Sequence, residues 1–182
     1  AHFVARKDYR KTYDVYKDDT LLNRKPKKSR KIFVCLDEQR GQYLVDGLIA
    51  MDFPLSSGVK AYPTKTGDYT VISKKEDHAS NLYGKMYDAE GKCINYNAES
   101  TDPVPEGGRF DGSPMPYWQR LTNAGLGLHV GKVRRHPISH GCVRLPRNVA
   151  EILYKQTSVG TPVTIQRTPL PVPEAQKAPA VQ

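Results

Sequence analysis

The sequence contains no run of about 18 apolar residues, so no segment is long enough to cross a bilayer as a helix. It also has no apolar stretch near its start, and residue 1 is Ala instead of Met. The chain therefore reads as a mature or trimmed form, with any export signal outside view. Cysteine is scarce: Cys35, Cys93 and Cys142 are three, an odd number, so at least one thiol has no partner within the chain. Acidic residues are outnumbered, 19 against 28 Lys and Arg, for a net charge of +9 that favours anionic partners. No basic helix, zinc-finger spacing or aromatic-glycine RNA motif accompanies the charge, which argues against nucleic acid. Apolar residues make up 38%, slightly low, and 14 Pro with 14 Gly speak against a helical bundle and for a strand-rich, loop-rich chain. A length of 182 residues suits one domain with short extensions.

Taken in order, residues 1–30 read as a basic N-terminal arm. Residues 1–31 hold 11 Lys and Arg against 4 Asp, ending in Arg24-Lys25-Pro26-Lys27-Lys28-Ser29-Arg30-Lys31. Such an arm is either a solvated face or an electrostatic tether to an anionic cell-wall or membrane surface. Thr20-Leu21-Leu22 is too short to anchor a core. A catalytic-domain candidate covers 31–167. Ile32–Leu36 has strand length. Asp46-Gly47 between Gln42–Val45 and Leu48–Met51 predicts a hairpin with a type I′ turn. Asp68–Ser73 is another strand, and residues 74–116 are polar and turn-rich, concealing strands or a lid. Val149, Ile152 and Leu153 recur at helical spacing after Pro146, and Val163–Ile165 is a last strand. Residues 168–182, with four prolines, read as a disordered tail.

The chemistry concentrates in Ser139-His140-Gly141-Cys142-Val143-Arg144, with His129 upstream in Gly127-Leu128-His129-Val130. A free thiol has a pKa of roughly 8.5, so a nucleophilic cysteine needs a base or a positive field. His129 or His140 can be that base, and Arg144 adds charge. On a strand, His140 and Cys142 would share a face. Gly141 removes a Cβ near the sulfur and permits a tight turn, which can aim backbone N–H groups at one point as an oxyanion hole. Other readings compete: a buried structural Cys, or zinc held by His129, His140, Cys142 and another Cys, although these lack a second closely spaced ligand pair. A papain-like endopeptidase places its thiol before its histidine, and a wall-binding module needs no nucleophile. His136, before Pro137, reads as exposed and non-catalytic. A Cys35–Cys93 disulfide would leave Cys142 free.

The hexapeptide with its upstream histidine resembles the signature of the L,D-transpeptidase (YkuD-like) catalytic domain. The resemblance runs from about Lys31 to Ile165 and includes Ser56-Ser57-Gly58, Pro63-Thr64-Lys65-Thr66-Gly67, Met115-Pro116-Tyr117-Trp118 and Val159-Gly160-Thr161-Pro162-Val163. Two positions depart from the pattern: Lys65 where proline is frequent, and Val130 where glycine is common. The resemblance implies a mainly β fold, a sandwich or partial barrel with one or two short helices and a catalytic groove. It implies cysteine-dependent acyl transfer on peptidoglycan stem peptides in the periplasm or cell wall, with no cofactor and no metal. The Cys142 thiolate would attack the L-centre of the third stem residue and expel a D-amino acid. A neighbouring stem, a lipoprotein lysine or water would then resolve the thioester, so cross-linking, lipoprotein attachment and L,D-carboxypeptidase activity all remain open. His129 would be the base, its other nitrogen held by the Val130 carbonyl. His140, Gly141 and Ser139 would shape the loop, and Gly141 and Cys142 would supply oxyanion donors. Arg144 would take donor carboxylates, with a structural ion pair as its other reading; Tyr117 or Trp118 would flank the substrate. A carbapenem would acylate Cys142.

Overall fold

The computed structural model describes Asp8 and residues 11–177. Three sheets form it. The largest, six-stranded, runs in the order β1 (Tyr16–Lys17), β4 (Leu48–Pro54), β3 (Arg40–Val45), β2 (Arg30–Cys35), β13 (Pro162–Gln166), β5 (Gly67–Thr70). A four-stranded sheet follows β12 (Val143–Leu145), β11 (Gly127–Val130), β10 (Trp118–Arg120), β6 (Ser73–Lys75). The third is β8 (Cys93–Glu99), β7 (Ala79–Tyr87), β9 (Arg109–Pro114). Among the described residues there are two short α-helices, α1 (Asp19–Asn23) and α2 (Arg147–Gln156). The fold is mainly β, with open sheets and no closed barrel. No helix among the described residues is long and apolar enough to cross a membrane.

The β3–β4 hairpin forms where predicted, because Asp46 (φ 51°) and Gly47 (φ 78°) both take the left-handed conformation of a type I′ turn. Its strands are buried on both faces, unlike a one-sided sheet, since the core packs on one side and the chain termini cover the other. Helix α2 begins after Pro146 and buries Val149, Ala150 and Leu153. It joins Ile32, Val34, Phe53, Val143, Leu145 and Ile165 in one core. Residues 74–116 contain three strands that hide from pattern reading because β7 is broken by register shifts and β8 and β9 are mostly exposed.

In both extensions a few residues pack where the sequence offered no anchor. Leu21 and Leu22 on α1 are core residues, since a single turn of helix can seat two leucines once its flanks are held. They are held by β1 pairing with β4 and by buried Arg40, which donates to Thr12 O (3.0 Å) and Asp14 O (2.9 Å). Residues 168–177 are packed too. Leu170 is buried, and Gln176 binds both backbone groups of Ile49, accepting from its N–H (2.6 Å) and donating to its carbonyl (3.1 Å). Composition suggested nothing able to pack, but one leucine and one bidentate glutamine suffice. The arm's residues 1–7 and 9–10 and the tail's residues 178–182 lie outside the described residues.

Candidate active site

Strands β11 and β12 are parallel neighbours, with Leu128 opposite Val143, His129 opposite Arg144 and Val130 opposite Leu145. Side chains alternate faces along each strand. Leu128, Val143 and Leu145 go into the core. His129 and Arg144 therefore face the other way, and Cys142, two residues before Arg144, begins the same face. All three line a groove of about 820 Å³. The pairing of two adjacent strands thus sets His129 directly opposite Arg144, fifteen positions later in sequence.

The segment leading into the cysteine is fixed by residues about eighty positions earlier. Arg144 N–H donates to Ser56 O (2.8 Å) and its carbonyl accepts from Ser56 N–H (3.1 Å); Ser139 N–H donates to Ser57 O (3.0 Å). Gly58 is required here, because a Cβ would lie 2.1 Å from Tyr62 O and 2.8 Å from Gly141 Cα. The buried Ser139 hydroxyl donates to Cys142 O (2.5 Å) and accepts from Gly141 N–H (3.2 Å), closing the turn on itself. Thr64 Oγ1 accepts from Gly58 N–H (2.8 Å) and donates to Gly141 O (2.6 Å). The Gly141–Cys142 peptide is trans, so its carbonyl and its N–H point opposite ways. Anchoring Gly141 O on Thr64 consequently turns the Cys142 N–H away from Thr64.

The expectation that His140 and Cys142 share a strand face does not hold. Gly141 takes φ 110° between them, and the turn swings His140 into the open, where it stacks on Tyr83 (4.3 Å, 18°) and contacts Tyr62 (4.8 Å). His129 is the histidine that the paired strands hold on the groove face, opposite Arg144. Its Nδ1 lies 2.7 Å from Val130 O, as expected from the sequence. A carbonyl can only accept, so Nδ1 carries the proton and Nε2 is the free base.

Burial sets the protonation states. It pushes the His129 pKa down to about 4; the Val130 bond opposes this, and Arg144 and His78 add to it. Burial likewise pushes the Cys142 thiol up, against the Gly127 N–H and Arg144. Cys142 Sγ donates to Gly125 O at 3.2 Å. The resting pair is therefore a neutral thiol and a neutral imidazole, not the preformed thiolate expected from the sequence. A neutral pair must move its proton as the sulfur attacks.

Trp118 and Tyr117 part company. Trp118 is buried in the groove wall, stacked on His78 (5.1 Å, 29°), with its ring 6.0 Å from that of His129. Gly127 makes room for it, since a Cβ there would meet Trp118 Cη2 at 2.4 Å. Tyr117 (φ 56°) instead packs on Tyr154 of α2 (5.5 Å) and against the core, outside the groove lining. A residue in the left-handed conformation reverses the alternation, which is why neighbours in sequence end on different sides. Arg144 is half-buried, with no salt bridge among the described residues, so its reading as a structural ion pair finds no support. His136 is exposed, its Nδ1 3.3 Å from Pro137 O.

Pattern reading passed over Thr64, Tyr62, Tyr83 and His78 as site residues. Thr64 sits in one of the quoted motifs, so a signal existed; Tyr83 and His78 lie in the stretch without periodicity. All three cysteines are free, Cys35 being buried in β2 of the large sheet and Cys93 starting β8 of the small one, so no Cys35–Cys93 bridge forms. Among the described residues no group of three or more His, Cys, Asp or Glu is arranged to hold a metal.

Comparison with known proteins agrees with this geometry. Residues 29–165 match the model of the YkuD family, the L,D-transpeptidase catalytic domain. A Mycobacterium tuberculosis protein described as "Probable L,D-transpeptidase 3" is 32% identical over 120 residues, covering 62% of this chain and 38% of the relative. An L,D-transpeptidase from Mycobacterium smegmatis superposes with a TM-score of 0.58 at 22% identity, over 76% of this chain and 58% of that one. The Enterococcus faecium L,D-transpeptidase C442S mutant gives 0.55 at 26% identity, over 76% and 50%. The chain spans little more than a third of the curated relative and about half of the solved chains it matches. The arrangement of strands, groove, thiol and imidazole, with the family match across most of its length, places this chain in the YkuD family of L,D-transpeptidase catalytic domains.

Proposed function

We propose that the chain catalyses acyl transfer on peptidoglycan stem peptides through Cys142. One observation carries the reading: Cys142 and His129 share the groove face of two paired strands, with the imidazole tautomer fixed by Val130 O. As Cys142 Sγ bonds to the carbonyl carbon at the L-centre of the third stem residue, its proton passes to His129 Nε2. The carbonyl oxygen becomes an oxyanion that the Cys142 N–H, turned outward by Thr64, receives. Gly141 N–H is already engaged by Ser139, so it is the weaker donor. Collapse breaks the amide, and the departing D-amino acid amine takes the proton from the imidazolium. An incoming amine, deprotonated by His129, attacks the thioester and releases the thiol, which regains that proton. Trp118 supports the imidazole from the groove wall, and Arg144 takes a donor carboxylate. His140 holds the loop against Tyr62 and Tyr83.

This reading calls for a location outside the cytoplasmic membrane, in the periplasm or cell wall, where such a substrate lies. The basic arm suits that setting: Arg24, Lys25, Lys27 and Arg30 line a second cavity of about 470 Å³ with Lys155, a concentration of charge able to attach to an anionic wall surface. Incubation with purified muropeptides and mass analysis tests the reading; cross-linked dimers support transpeptidation, trimmed tripeptides indicate a carboxypeptidase, and no change overturns acyl transfer. Related L,D-transpeptidases have been solved with imipenem and with a faropenem-derived adduct. A carbapenem should add its mass to the wild type and not to Cys142→Ala; an equal adduct on both would remove Cys142 from the mechanism.

A further inference from the structure

Every charged side chain lining the catalytic groove is cationic. Lys65, Arg120, Lys132 and Arg144 line it, and no Asp or Glu does. None of the four forms a salt bridge among the described residues. Elsewhere Lys and Arg do find carboxylates, as in the buried Arg40–Asp52 pair (2.6 Å) and the exposed Arg167–Asp37 (2.7 Å) and Lys155–Glu151 (2.7 Å) pairs. The groove also holds a second donor in want of an acceptor: the indole N–H of Trp118 is buried without a partner.

Arg144 is the most committed of the four. Both its backbone groups are fixed to Ser56 (2.8 and 3.1 Å), so its side chain springs from an immobile point. It projects on the Cys142 face and is half-buried, and burial pushes its pKa down. The neighbouring strand keeps space for its stem, since a Cβ at Gly131 would lie 2.8 Å from both Cγ and Cδ of Arg144. A guanidinium partly removed from water without a counter-ion is costly, and the cost is recovered when an anion arrives. Its planar fork binds a carboxylate through two parallel bonds, whereas a carboxamide offers one acceptor and turns N–H donors toward N–H donors.

We propose that the groove selects donor stem peptides whose free carboxyl groups on the second and third residues are carboxylates in preference to carboxamides, and that Arg144 reads that of the third residue, the one attacked, with Lys132, Arg120 and Lys65 adding the surrounding field. The proposal rests on the acyl-transfer reading above and specifies the substrate class of that site.

Three matched synthetic donor stems test it: one with all carboxyls free, one amidated at the third residue, and one also amidated at the second. Release of the terminal D-amino acid gives kcat/KM for each. The wild type should prefer the free acid on the order of 10- to 100-fold, the worth of a hydrogen bond to a charged partner, mainly in KM and less so as salt rises. Arg144→Gln should lose most of that preference and Arg144→Lys keep part of it. Alkylation of the thiol by neutral iodoacetamide and circular dichroism report whether each variant retains its fold and thiol. Should Arg144→Gln not fold, Lys132→Gln and the salt series carry the test. Equal turnover of acid and amide, or preference for the amide, would overturn the selectivity while leaving the proposed function standing. Undiminished preference in Arg144→Gln would overturn the role of Arg144. No turnover of any stem would overturn the proposed function, and this inference with it.

Discussion

The six-stranded sheet and the three-stranded sheet are built to opposite specifications. Strands β3 and β4 are buried almost throughout, with Tyr43, Val45, Met51 and Phe53 fully enclosed and one ion pair, Arg40–Asp52, inside. Gln42 Nε2 donates to the second Asp52 oxygen (3.0 Å), so that pair is satisfied where an unpaired charge would be ruinous. Strands β7, β8 and β9 are mostly exposed and present Leu82, Ile94 and Tyr96 to solvent. Yet it is this sheet that supplies Tyr83 to the stack on His140 and several residues to the groove wall. The contrast assigns stability to one sheet and contact with the ligand to the other. The four-stranded sheet stands between them, one face core and one face chemistry.

Changes in each region should separate accordingly. The largest effect falls in the buried sheet. Phe53 is fully buried over Gly41, and Phe53→Ala should cost about 3–5 kcal/mol in denaturant unfolding while leaving activity per folded molecule near wild type. A large loss of kcat without loss of stability would break the division. Next comes the boundary sheet. Because the His129 pKa is about 4 in the folded protein and 6.5 unfolded, the unfolded chain takes up a proton first as pH falls. Stability from this group is complete above about pH 6.5 and drains away toward pH 4, by about 3 kcal/mol. Denaturation of the wild type and His129→Gln across that range should differ by this slope, and parallel curves would refute the burial argument.

Thr64→Val removes the hydroxyl that fixes the Gly141 carbonyl. It should slow single-turnover acylation about 10- to 100-fold, somewhat less than outright loss of an oxyanion donor, and lower unfolding stability by about 1–3 kcal/mol, because Gly58 N–H loses its partner as well. Smallest is Tyr83→Ala in the exposed sheet. Loss of one aromatic stack is worth about 1 kcal/mol, so unfolding should shift by no more than that, while acylation by a stem peptide falls only as far as the His140 loop loses its support. A shift in unfolding midpoint comparable to that of Phe53→Ala would erase the distinction between the sheets.

Much of this was legible beforehand. The Asp46-Gly47 turn and the helix after Pro146 follow from residues adjacent in sequence, where turn chemistry and periodicity act directly, and the His129–Val130 contact was what the family resemblance implied. The strand face expected for His140 and the groove position expected for Tyr117 misled for one reason: residues at positive φ, Gly141 and Tyr117 itself, break the two-residue alternation on which face arguments depend. Leu21, Leu22 and Leu170 misled for another, since a short apolar segment can bury only where a distant surface receives it.

The sequence by itself singled out Cys142 with two candidate histidines and a family resemblance, because a thiol, an imidazole and a glycine at fixed spacing carry their chemistry with them. The tertiary structure alone decided which histidine sits on the paired strands of the groove, that burial favours the uncharged thiol and imidazole, and that Thr64 orients the peptide behind the sulfur. Those outcomes depend on burial and on pairings across some eighty residues, and no local pattern encodes the solvent that a folded chain excludes.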